Sequence, residues 1–140
     1  MAWTSKCCLL FLALSAAPAL ADPCRAIPDR GPLPSHLGKG RTFSGPVAYV
    51  GDGDSLCVAL GAGPAQWVEV RLADFYAPEL SSDGGREAKR ALETIAKGRR
   101  ATCTAQKRSY DRVVAACKIG GVSIGDLMRA QGIGEGGNGR

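Results

Sequence analysis

Histidine is almost missing from this chain: His36 is the only one in 140 residues. There is also no C-x-x-C pair. Zinc centres draw their ligands from Cys and His at characteristic spacings, so both absences argue against one. His36 falls in a Pro/Gly-rich stretch and reads as a solvated loop residue. Aromatic residues make up only 6% of the chain, which leaves few stacking platforms and counts against a dedicated single-strand binder. No internal repeat is visible. Beyond the first 21 residues, no segment is long and apolar enough to span a bilayer.

The start of the chain has a definite pattern. Lys6 precedes an apolar run from Cys7 to Leu20 that closes on Ala19-Leu20-Ala21, an A-x-A cleavage box. Residues 1–21 are therefore expected to be a cleaved secretory signal, placing the mature protein in the periplasm or outside the cell with no membrane association. A buried N-terminal helix is the alternative. A lipid anchor is disfavoured because Cys24 follows Ala-Asp-Pro and not a small-residue lipobox. Removing those 21 residues from 140 leaves 119, enough for one domain with one core. The excess of basic over acidic side chains suits a polyanionic partner.

Six cysteines become four after cleavage: Cys24, Cys57, Cys103 and Cys117. An even number in an exported chain predicts disulfides, with three connectivities open. Cys103 and Cys117 lie symmetrically about the turn at Tyr110, so they are expected to face each other across a hairpin. Cys24–Cys57 would then pin the N-terminal arm.

Residues 22–44, rich in Pro and Gly, predict an extended arm. Strands are expected at Pro46–Val50, Ser55–Leu60 and Trp67–Leu72, the last from its clean alternation. Ala88, Leu92 and Ile95 mark an amphipathic helix over Gly85–Lys97, with Asp83 as its N-cap. Two strands follow, Arg100–Ala105 and Arg112–Ile119, around a basic turn with Lys107 and Arg108. Ser123 to Asp126 resembles a capping box opening a short helix to about Gln131. Residues 135–140, Gly-rich, are expected to be a flexible tail. Hairpin-linked strands with segregated helices indicate an α+β fold, a small closed barrel of five strands spanning 45–134.

Three polar segments sit where strands end. Asp52-Gly53-Asp54 offers carboxylates suited to a hard cation beside a glycine that permits a sharp turn, although an ordinary hairpin turn has the same composition. Arg71 is followed, through a Pro-fixed loop, by Glu79. A guanidinium matches phosphate oxygens bidentately, and a nearby carboxylate can take a proton from water. A surface pair of Arg71 with Glu69 and a solvated Glu79 is the plainer reading. Tyr110-Asp111-Arg112 adds a second guanidinium, or simply a turn with a solvated charge.

Together, Asp52-Gly53-Asp54-Ser55, Arg71-Leu72-Ala73-Asp74-Phe75-Tyr76-Ala77-Pro78-Glu79 and Tyr110-Asp111-Arg112-Val113-Val114-Ala115 resemble the motifs of the staphylococcal nuclease (thermonuclease-like) family. The resemblance implies a five-stranded OB-fold barrel with two helices packed against it. It also implies calcium-dependent hydrolysis of phosphodiester bonds in DNA or RNA; a single-stranded substrate and a monomeric protein are expected. Carried over to this sequence, Asp54 and the backbone carbonyl of Ala77 would hold calcium. Glu79 would be the general base, Arg71 and Arg112 the phosphate clamp, and Tyr110 a substrate contact. Tyr76 occupies the position of the family's second metal carboxylate, and Asp74 is the nearest candidate replacement. Without a working metal site, the expectation becomes a basic barrel that binds nucleic acid without cleaving it. A disulfide-braced interaction domain of the cell envelope is a third reading.

Overall fold

The computed structural model of the protein describes residues 22–136. The expected export signal and the last four residues lie outside that range. The elements in order are β1 (Thr42–Val50), β2 (Ser55–Ala59), β3 (Trp67–Leu72), α1 (Gly85–Ala96), β4 (Arg100–Ser109), β5 (Arg112–Ile119), β6 (Val122–Ser123) and α2 (Ile124–Ala130).

Antiparallel ladders join β1 to β2, β2 to β3, β1 to β4 and β4 to β5. β3 then runs parallel to β5 through Val70–Val113, Arg71–Val114 and Leu72–Ala115, which closes the sheet. The result is a closed five-stranded barrel of OB-fold type with two helices against it, the α+β architecture expected. Period-2 alternation fills its interior. Val68, Val70 and Leu72 of β3 are fully buried, as are Ala101 and Cys103 of β4 and Val113 and Ala115 of β5. α1 turns Ala88, Leu92, Ile95 and Ala96 inward, and α2 adds Ile124 and Met128. Each large apolar side chain buried this way contributes about 1.5–3 kcal/mol.

Both disulfides take the expected connectivity, Cys24–Cys57 and Cys103–Cys117. Cys103 and Cys117 stand directly opposite in the β4–β5 register, with Cα atoms 4.0 Å apart. No helix among the described residues is long and apolar enough to cross a membrane.

The arm is more closely integrated than expected. β1 begins at Thr42, so a domain boundary at residue 45 would cut through a strand. Residues 42–46 pair with β4, and the register to β2 starts at Val47. Pro46, which has no N–H to donate, sits where the strand changes partners. A Cβ on Gly45 would lie 1.9 Å from the Ala59 carbonyl oxygen, so only glycine permits this crossing. Ile27 and Leu37 of the arm enter the core. Arg25 and Ala26 donate backbone hydrogen bonds to Pro64 and Trp67.

The caps differ in one respect. α1 starts from Gly84 in the left-handed region at φ 80°, with no side-chain cap, so Asp83 does not have that role. Ser123 does cap α2, its Oγ accepting from the Asp126 N–H at 3.2 Å.

Candidate active site

The site starts with the turn between β1 and β2. Asp52 Oδ1 accepts from the Asp54 N–H (3.0 Å) and from Ser55 Oγ (2.8 Å), an Asx turn that fixes the Asp54 backbone. Gly53 is needed for close approach, because its φ is not positive. A Cβ there would stand 2.5 Å from the Cβ atoms of both Ala77 and Ala88. The turn is thus wedged against the loop after β3 and against α1.

Asp54 is 6% exposed. Its Oδ2 accepts from the Ala77 N–H at 3.0 Å and from Arg71 Nη2 at 3.4 Å. Burial, reinforced by the Asp52 charge, raises its carboxyl to about 7 in spite of Arg71 and the Ala77 N–H.

Arg71 does not make the alternative pair with Glu69. It turns to Asp54, and its guanidinium lies 5.1 Å from the centroid of the Tyr76 ring. Glu69 is half-buried, and burial first, then the charges of Asp22 and Asp111, raise it to about 7 against the pull of Arg112.

Pro78 ends the extended run and Glu79 follows it, exposed to solvent. On the opposite wall, Tyr110 holds the β4–β5 turn at φ 58° and is 84% exposed, and Arg112 opens β5. A cleft of about 530 Å³ gathers Asp54, Arg71, Ala77, Glu79, Tyr110 and Arg112. The three motifs, separated in sequence, therefore meet on one face of the barrel. Tyr76 borders it through its stacking on Arg71. Lys107 and Ser109 also line the cleft, although sequence reasoning assigned them no role. Lys107 was legible as part of a basic turn, but its side of the barrel depends on the register slip between Ala105 and Lys107.

Asp74 does not replace the missing carboxylate. Its Oδ2 accepts from Ser123 Oγ, the α2 cap, and packs against Gly125, while Oδ1 is buried without a hydrogen-bond partner. The short strand–loop geometry thus turns it toward α2 and away from Asp54. Glu135 and Gly136, expected within a flexible tail, hold the Tyr76 backbone from outside. Glu135 Oε1 accepts from the Tyr76 N–H (3.1 Å), and the Gly136 N–H donates to the Tyr76 carbonyl (3.0 Å). Arg129 Nη2 secures Glu135 at 3.4 Å.

Three potential metal-ligand side chains converge within 4.8 Å at Asp22, Cys24 and Cys57 among the described residues, not at Asp54. Both cysteines there are spent in a disulfide, which leaves no thiolate. Asp54 offers carboxylate oxygen, the kind calcium prefers, but its Oδ2 already accepts from the Ala77 N–H and Arg71 Nη2. With Oδ2 so engaged, and with the phenol of Tyr76 at the position where the resembled family carries a second carboxylate, these residues fit a hard cation only weakly. No protein-family model matches the chain, and no curated protein matches it, so the nuclease likeness rests on the three motifs themselves.

Proposed function

We propose that the protein is an exported nuclease that hydrolyses phosphodiester bonds in single-stranded DNA or RNA. The observation that carries this reading is the convergence of Arg71, Arg112, Glu79 and Asp54, from three chain segments, on one cleft. Barrel packing does not require two guanidinium groups and a solvent-exposed carboxylate at one strand-end face.

Arg112 and Arg71 bind the non-bridging oxygens of the scissile phosphate and oppose the charge that accumulates there. Glu79, free of burial, takes the proton of a water attacking the phosphorus, and the bond to the leaving sugar oxygen breaks in line. Tyr110 offers an exposed ring on which a base can rest. Asp54, with the Ala77 carbonyl, would hold calcium, which supplies Lewis-acid charge at the phosphate when bound. The disulfides fit an oxidising compartment, in agreement with the export signal.

A second reading, a barrel that binds nucleic acid without cleaving it, is favoured by one arrangement: Arg71 already engages Asp54 Oδ2 and lies over the Tyr76 ring. The test incubates purified protein with denatured DNA and, separately, with RNA, in calcium and then in chelator. Chelator-sensitive cleavage supports the nuclease, and retention without cleavage supports the binder. If DNA and RNA are both ignored, neither reading stands.

A further inference from the structure

A second cleft, of about 610 Å³, adjoins the first and shares Glu79 with it. Its wall is the outer face of α1, where Arg86, Lys89 and Arg90 follow one another at helical spacings that place them together. Among the described residues none of these three cations takes part in an ion pair. Lys89 lies 5.9 Å from the centroid of the Tyr49 ring, which keeps its stem along the protein surface. Leu80, 41% exposed, adds an apolar surface beside them. Glu93 also lines the cleft, so the groove is basic without being uniformly so.

A polyanion with flat apolar bases matches this combination. Cations spaced along a groove track a phosphate backbone, and an exposed aliphatic side chain offers a base an apolar contact. We infer that the α1 groove is a second nucleic-acid subsite, holding the phosphates of the strand that runs past Glu79 away from the scissile bond. This rests on the nucleic-acid reading of the first cleft. It adds a length preference: substrates that reach α1 are held better than those that fill the first cleft alone.

The test measures binding of fluorescent oligothymidylates of two and twelve nucleotides by anisotropy, in chelator and across a salt series. The wild type is compared with Arg86→Gln/Lys89→Gln/Arg90→Gln. Glutamine is nearly as good a helix former as the residues replaced, and the changes lie on the outer face of α1. A control, Lys39→Gln/Arg41→Gln/Lys118→Gln, removes the same charge from positions that line neither cleft.

The α1 variant is expected to lose about tenfold or more of its dodecamer affinity. Its log–log salt slope should fall by about 2, as three lost phosphate contacts on a single strand require. Dinucleotide binding and the control should match wild type. Restoring Arg86 and Arg90 as lysines should recover most of the lost affinity. An α1 variant that binds the dodecamer like wild type, or a control that weakens it equally, overturns the subsite while leaving the first-cleft reading intact. A wild type that binds neither length overturns both.

Discussion

Arg71 and Asp54 face each other across the β2–β3 pair, Nη2 to Oδ2 at 3.4 Å, and the Ala77 N–H shares the same oxygen. One guanidinium therefore serves two partners, a buried carboxylate and, in the proposed reaction, the phosphate. Arg71→Gln removes both services. It is expected to lower kcat by 10²–10³-fold, about 3 kcal/mol, by analogy with a lost oxyanion donor. Arg112→Gln should cost a similar factor. Single-turnover cleavage of a short oligonucleotide measures each, and a loss below tenfold in both variants would remove the arginines from the clamp.

Tyr76→Asp should tighten the cation site. The new carboxylate follows a backbone already fixed by Glu135 and Gly136, so the substitution adds charge without loosening the loop. The calcium concentration for half-maximal cleavage is expected to fall at least about tenfold, because calcium affinity rises with the number of charged ligands. A titration that gives the same midpoint for both proteins would place calcium elsewhere.

Glu69 should make stability depend on pH. Its carboxyl is raised from 4.5 to about 7, chiefly by burial. The folded state thus favours the protonated form, and the associated stability is fully present below pH 4.5 and lost as pH rises through about 7. Because Glu69 is only half-buried, solvent screening holds the effect to about 1–2 kcal/mol. Glu69→Gln should be more stable than wild type at pH 8 by that amount and equal to it at pH 4, as read by urea unfolding. Equal stabilities at pH 8 would contradict the shift.

The β4–β5 disulfide closes a 14-residue separation. Replacing Cys103 and Cys117 together with serine is expected to cost about 3 kcal/mol, plus the penalty of two buried hydroxyls. Urea midpoints with and without the bond decide it. Cleavage per folded molecule should change little, since neither cysteine lines the cleft.

How much of this was legible depends on the kind of interaction. β3 and β5 matched their expected bounds because each alternates or runs apolar between clear turns. β1 was read four residues short, because Gly45-Pro46 looks like punctuation when it is actually a change of partner. β4 runs on to Ser109 through polar residues whose pairing with β5 no propensity reveals. The three motifs gave the cleft, since turn chemistry and charge are local. Two relationships were out of reach: Arg71 choosing Asp54 over Glu69, and Glu135 reaching back to Tyr76. The first follows from the β2–β3 register and the second from where the segment after α2 lies, neither of which local propensity reveals.

The fit of Gly53 between Ala77 and Ala88 bears on how mutants of this protein will be interpreted. A methyl group at residue 53 would push the β1–β2 turn, the Glu79 loop and α1 apart at once. Any screen for lost activity will then score Gly53, Ala77 and Ala88 alongside Glu79 and the arginines. Those three residues contribute no reactive group. Their bulk sets the clearance between the parts that do, so enlarging Ala88 inside α1 would disrupt the cleft as surely as removing a residue that lines it.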